Sequence, residues 1–324
     1  MNKEQSPFIS VVVPVYNEEK NIRPFIARTV PILEKIGTYE IIFGLDPSSD
    51  DTERVLEEAA EQNSCVRYIR FSRRIGQPSA VLAGILNCGG KTCVAIDVDL
   101  QDPPEIIADL YKKYLAGADV VYAKRRSRAG ETAVKRFVSY LGYKLINTTA
   151  EVEIPRDTGD FRIINRRVIE ELRRLPENHG FLRGLVALVG FRQEFVEYDR
   201  DPRVHGKGNY NRYFGSLTIG FNGLVGFSSF LLSFVLLFGF VVAGIAFLGA
   251  LAIFTSWLFS IDDYPIGYPS IIILILFLGG VQMISIGILG EYIGRIYDEV
   301  KGRPRFIIDK TKNISSIIDN GDRR

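Results

Sequence analysis

Apolar residues alternate between two regimes along this chain. Phe8 to Val15 is an unbroken apolar run rich in β-branched residues, the pattern of a strand buried on both faces. A helical period follows over Asn17–Ile36, then a strand over Tyr39–Leu45 and a helix over Asp51–Gln62. Val66–Phe71 and Lys91–Ile96 read as further strands, with a helix over Gln77–Asn87 between them. Strands alternating with helices predict a parallel sheet covered on both faces. In such sheets ligands sit beyond the carboxyl ends of strands. The segments Pro14–Glu18, Asp46–Asp50 and Asp97–Gln101 should therefore converge on one cleft.

The pattern changes in the last third. Tyr213 to Ile261 carries no charged residue, and Tyr264 to Gly290 is again uncharged after Asp262 and Asp263. A membrane span needs about 20 apolar residues, so two transmembrane helices are predicted, near 229–257 and 267–290. The short loop Ser260–Pro265 is acidic and lacks Lys and Arg. Its flanks carry Arg203, Lys207 and Arg212 on one side and Arg295, Lys301, Arg303, Arg305, Lys310 and Lys312 on the other. The positive-inside rule puts both termini in the cytoplasm. The expected organisation is a catalytic domain over 1–212, a juxtamembrane segment over 213–228, two spans over 229–290 and a basic, polar tail over 291–324. No signal peptide is expected at the N-terminus. The inner, cytoplasmic membrane is the predicted location.

Two other helical stripes bear on the membrane. Val134, Phe137, Val138, Leu141 and Leu145 share one helical face, with Lys135, Arg136 and Lys144 off it. That helix fits packing on the sheet and fits an interface with anionic lipid equally well. Gly287, Gly290 and Gly294 line one face of the second span. Such stripes permit close approach of the first span, or of another subunit in a homo-oligomer.

Composition adds little beyond exclusions. The 324 residues allow about two domains. The net charge of +2 gives no reason to expect nucleic acid as a partner. Cys65, Cys88 and Cys93 lack metal-type spacing, and a cytoplasmic domain would keep them reduced as packing residues. His179 and His205 are the only histidines and lie apart, which disfavours a histidine-based metal site or triad.

The strongest chemical signal is Asp97-Val98-Asp99-Leu100-Gln101-Asp102-Pro103-Pro104-Glu105, directly after the Lys91–Ile96 strand. Two carboxylates one residue apart at a strand end suit Mg²⁺ or Mn²⁺, ions that share their coordination with substrate phosphates. The structural alternative is helix capping. Asp102 before Pro103 reads as the N-cap, which leaves Asp99 without that role. A cation site for a diphosphate beside membrane spans suggests a sugar nucleotide reacting with a lipid. The phosphate of such a lipid needs cations, and Arg126, Arg128, Lys135, Arg136 and Arg203 are the candidates, each weighed against plain surface charge.

Val13-Pro14-Val15-Tyr16-Asn17-Glu18-Glu19, the Asp97–Glu105 run and Thr158-Gly159-Asp160-Phe161-Arg162, with the two C-terminal spans, resemble the polyprenyl-phosphate glycosyltransferases of glycosyltransferase family two. The bactoprenol glucosyltransferase group is the best match, and dolichol-phosphate mannose synthases are relatives. The resemblance covers roughly residues 6–305. It implies an A-type glycosyltransferase fold, a Rossmann-like mixed α/β sheet, followed by the two transmembrane helices. It also implies that Asp97, Asp99 and Gln101 hold the cation and that Pro14, Tyr16, Glu18 and Asp46 bind the nucleotide. Asp157 would be the catalytic carboxylate, with Asp160 its rival, and Arg203 a phosphate contact in a closing loop. Two departures stand out: Pro47 where the family has Gly, and Gly208-Asn209 where it has Ser-Lys.

The implied reaction is inverting, metal-dependent transfer of a hexose, glucose from UDP-glucose, to undecaprenyl phosphate. A mannose- or aminoarabinose-type donor is the alternative. A phosphate monoester has a second pKa of about 6, so Asp157 is expected to orient the acceptor rather than deprotonate it at neutral pH. Processive polysaccharide synthesis is disfavoured, because its Gln-x-x-Arg-Trp motif is absent and the only Trp is Trp257. A nucleotide-sensing membrane adaptor is a non-catalytic rival, disfavoured by the intact acid pair. A lipid flippase is a third, disfavoured by the low number of spans.

Overall fold

The computed structural model describes residues 7–126, 155, 158–175, 182–202 and 268–314, with scattered positions between 232 and 259. Asp157, Arg128, Lys135, Arg136 and Arg203 lie outside the described residues. So do the stripe over 134–145, the segment 213–228 and most of 229–257.

Eight strands form one sheet: β1 Ile9–Val15, β2 Tyr39–Leu45, β3 Val66–Phe71, β4 Thr92–Ala95, β5 Val120–Arg125, β6 Thr158–Asn165, β7 Gln193–Tyr198 and β8 Ile308–Lys312. Their order is β7-β5-β6-β4-β1-β2-β3-β8. The central strands β4, β1, β2 and β3 are parallel, as the alternating pattern requires. β6 runs antiparallel between β4 and β5, and β8 runs antiparallel beside β3, so the sheet is mixed.

The first strand shows why its run is continuous. Val11, Val13 and Val15 enter one core with α1 (Glu19–Ile36), α2 (Thr52–Gln62) and α4 (Ile106–Leu115). Val12 enters the opposite core with α3 (Gln77–Asn87), α5 (Arg166–Arg174) and α6 (Leu182–Val189). Successive strand residues point to opposite faces, and both faces are covered. Gly84 lets α3 lie directly on β1, since a Cβ there would overlap the Val12 side chain.

The C-terminal part departs from the expected bounds. α7 (Tyr268–Lys301) starts where the second span was predicted but runs on past Gly290. Within it Phe277–Lys301 is long and apolar enough to cross a membrane, the one such helix among the described residues. Of the first predicted span, only part of the helical positions from Leu232 to Thr255 is described, so a pair of spans is not established.

Residues 291–324, read as a tail, contain the end of α7 and then β8. Phe306 is fully buried and meets Phe71 edge-on at 5.9 Å. The Asn313 side chain donates to the Ala60 and Val66 carbonyls, both at 2.9 Å. A polar run of five residues carries no period strong enough to announce a strand; a partner 240 positions earlier makes it one.

Candidate active site

Val15 pairs with Leu45 in register, so the loops leaving β1 and β2 emerge side by side. They are laced together at once. The Asn17 amide donates to Ser48 Oγ at 3.1 Å, and the Ser49 amide donates to Asn17 Oδ1 at 2.8 Å. The Glu18 amide donates to Thr52 Oγ1 at 2.8 Å. Asn17 adopts a left-handed backbone (φ 54°), which Asn tolerates better than most residues. Pro47 leaves this turn intact, because the Ser48 hydroxyl still returns to the Asp46 carbonyl at 2.9 Å.

Asp46 is buried, and its two carboxylate oxygens accept the Ile75 and Gly76 amides at 3.0 and 2.9 Å. It thus fixes the loop between β3 and α3. Gly76 sits at φ 83°, in the left-handed region that favours glycine. From that loop the Arg74 guanidinium lies 3.9 Å over the Tyr16 ring. The Gln77 side-chain amide donates to Asp97 Oδ1 at 2.7 Å. Pro14, Tyr16 and Glu18 are half-buried along the same edge. The three predicted segments do converge, with Asp46 and Gln77 linking them.

Asp97 and Asp99 close the β4 end. The Gln101 amide donates to Asp99 Oδ1 at 3.1 Å across Leu100, whose φ is 58°. That backbone costs roughly 1–2 kcal/mol in a non-glycine residue, and the side-chain bond across the turn offsets part of it. Pairing of Ala95 with Arg162, continued past the end of β4, brings Asp160 opposite Asp97. Burial, then the neighbouring carboxylates Asp102, Asp99 and Asp160, push the Asp97 carboxyl up to about 8. An excess of buried negative charge is what a divalent cation would relieve. Among the described residues no group of three or more His, Cys, Asp or Glu forms a metal cage. Two carboxylates at this strand end would hold a cation only if it took its remaining oxygens from elsewhere, such as a diphosphate and water.

Asp102 is not a helix cap. α4 begins at Ile106 with Glu105 in the cap position and no side-chain capping bond. Asp102 is instead buried: the Tyr198 hydroxyl donates to its Oδ1 at 2.6 Å, and Arg200 Nε lies 3.3 Å from that oxygen. Arg125 also reaches it at 3.4 Å.

Asp160 is held between Arg162 at 3.0 Å and Arg183 at 2.9 Å. Although burial opposes it, these two cations keep its carboxyl below the ordinary range. The rival carboxylate is thus a fixed anion and a poor proton acceptor. Arg126 is exposed and pairs with Asp199 at 3.3 Å. Its neighbour Arg125 points to the acid cluster. The period of β5 puts Arg125 on the face of Val121 and Ala123, but nothing local names the acid it meets. Tyr198 and Arg200 are partners that sequence spacing did not reveal.

The Glycosyl transferase family 2 pattern matches residues 10–173, half of the chain. The chain belongs to glycosyltransferase family 2. Among its relatives, an uncharacterised glycosyltransferase of Synechocystis sp. is 41% identical over 301 residues, 93% of this chain and 94% of that one. A prophage bactoprenol glucosyl transferase homolog of Escherichia coli is 41% identical over 307 residues, 94% of this chain and 99% of its own. The bactoprenol glucosyl transferase of Shigella phage SfII is 42% identical, over 94% of this chain and 98% of that one. The protein is a glycosyltransferase, and its mixed sheet is the A-type architecture expected of family 2. The match begins in β1 and ends in α5, so it takes in the loops that carry Tyr16, Asp46, Asp97 and Asp99 and the strand β6 that carries Asp160.

Proposed function

We propose that this family 2 enzyme transfers a hexose, glucose from UDP-glucose, to the phosphate of undecaprenyl phosphate at the cytoplasmic membrane surface. The observation that carries the reading is the acid pair Asp97/Asp99, tied through Gln77 to the loop that Asp46 holds and from which Arg74 covers Tyr16. The full-length similarity to bactoprenol glucosyl transferases supports the acceptor class. The exposed apolar surface of α7 supports a membrane-bound enzyme. With a second span over 229–257, the catalytic domain 1–212 and both termini would face the cytoplasm.

In this reading Tyr16, Pro14, Glu18 and Asp46 shape the nucleotide pocket, Asp46 through the loop it holds. Asp97 and Asp99, with Gln101 beside them, hold Mg²⁺ or Mn²⁺. Such an ion supplies a Lewis acid for the charge that grows on the departing diphosphate. The acceptor phosphate, mostly dianionic near pH 7, attacks the anomeric carbon from the opposite face and inverts it. Asp157 orients that phosphate. Arg203, Arg126, Arg128, Lys135 and Arg136 supply cations for it; Arg126 is exposed with Asp199 at 3.3 Å, whereas the inward Arg125 is engaged by Asp102. Anchoring by α7 confines cleft and lipid phosphate to one layer, which turns attack into a positioned encounter.

The test is transfer of radiolabelled sugar from a panel of nucleotide sugars to undecaprenyl phosphate in detergent, with Mg²⁺, Mn²⁺ or EDTA. Metal-dependent labelling from UDP-glucose alone is expected. Labelling from another donor would change the sugar, and no lipid product with nucleotide binding intact would overturn the reading.

A further inference from the structure

The segment that follows β7 is stitched to the acid loop at several points. The Tyr198 hydroxyl donates to Asp102 Oδ1 at 2.6 Å, and Arg200 forms an ion pair with the same oxygen at 3.3 Å. The Asp201 amide donates to the Gln101 carbonyl at 2.9 Å. Arg28 of α1 then bridges the two segments, 2.7 Å from Glu105 and 3.2 Å from Asp201. The near end of the same loop is fixed by the Asp99–Gln101 turn, with Leu100 in its left-handed backbone.

Asp102 is 2% exposed, yet it caps no helix and belongs to no hydrophobic layer. An apolar side chain of similar volume can stabilise such a place equally well. What a buried acid with two donors and a further cation adds is direction, because each hydrogen bond fixes an angle as well as a distance. The Asp102 bonds act on the residue next to Gln101, three positions from Asp99. A shift there would move the carboxylates of the acid pair, whose geometry a small divalent ion constrains tightly.

We propose that Asp102, held by Tyr198 and Arg200, is a positioning residue that sets the Asp97/Asp99 pair for its cation. The inference rests on the cation reading given under Proposed function. It assigns the post-β7 segment a part in metal binding although no residue of that segment is a ligand.

The test is Mn²⁺ titration of the full chain in detergent with UDP present, read from the free-ion electron paramagnetic resonance signal. Tyr198→Phe removes one oxygen, and Asp102→Asn keeps the shape while dropping the charge. Both are expected to bind Mn²⁺ about tenfold more weakly, the size of an outer-shell effect on metal affinity. Sugar transfer at saturating Mn²⁺ should recover to within about threefold of the parent. Leu33→Ala, which empties a buried place near the Gly37 end of α1, is the control for general destabilisation: it should lower the thermal midpoint and leave Mn²⁺ affinity unchanged. Parent-like Mn²⁺ affinity in Tyr198→Phe would overturn the proposal, as would an equal loss in the Leu33→Ala control. If Asp102→Asn fails to fold, Tyr198→Phe still decides. A parent protein that binds no Mn²⁺ would sink the cation reading itself, a result distinct from unaltered variants.

Discussion

Asp97 and Asp99 carry the same side chain in different settings. Asp99 ties its own turn through the Gln101 amide, while Asp97 accepts the Gln77 amide and faces three other acids. Asp99→Asn keeps an acceptor for the turn and loses only charge. The variant should therefore fold with a near-normal melting profile and lose sugar transfer by about 100-fold or more, the scale of a lost transition-state charge contact. Asp97 makes a second prediction. Its folded pKa, about 8, lies above the unfolded value near 4, so the native state holds the extra proton between them. Stability then falls as pH rises through that window in the presence of EDTA. Thermal midpoints measured from pH 5 to pH 8 should decline in EDTA and flatten when Mn²⁺ is added. Asp160 works with the opposite sign: its lowered pKa contributes stability that is lost only as pH falls through the acid range. The acid pair was legible as a motif because two carboxylates at a strand end are locally unusual. The burial of Asp102 was not, because its partners lie 23 to 98 positions away in sequence.

Elements with a strong period were readable to within a residue or two. β2, β3 and α3 match their predicted bounds, since each has a complete apolar face and a clear turn signal at its ends. β8 had neither. Its exposed Asp309 and Lys310 are typical of a sheet edge, where charge discourages further pairing. Phe306, just before it, anchors the strand in the core shared with Phe71 and α3. Phe306→Ala should cost about 3–5 kcal/mol, the range for deleting a buried aromatic side chain. The measurement is chemical unfolding in detergent, with hydrogen exchange showing selective loss of protection in β8 and β3. Because the Ser72 amide donates to the Ile307 carbonyl at 3.0 Å, the same change should loosen the Arg74 loop and raise KM for the donor.

At the scale of the whole molecule, the sheet is buried under helices on both faces while α7 offers Ile271, Leu274, Ile275, Phe277, Met283, Ile284 and Ile293 to its surroundings. An exposed apolar surface of this length marks a membrane or protein interaction site. Residues 268–301 would span roughly 50 Å as a straight helix, longer than a hydrocarbon core of about 30 Å. Its last turns, with Arg295 and Glu291 paired at 3.0 Å, would then stand in the headgroup region. The full chain should remain in the membrane pellet after an alkaline carbonate wash and leave it only with detergent. Release by carbonate would make the helix a protein-binding element instead.

The sequence by itself determined what local periodicity and local chemistry can encode. It specified the alternating strands and helices, the strand-end acid pair, the uncharged stretches and the likeness to one family. Only the tertiary structure decided which strand runs antiparallel, where the last strand pairs, and which arginines answer which acids. The reason is range. A period of 2 or 3.6 residues is set by neighbours along the chain, whereas the partners of Asp102, Asp160 and Phe306 meet only after the sheet has brought distant segments together.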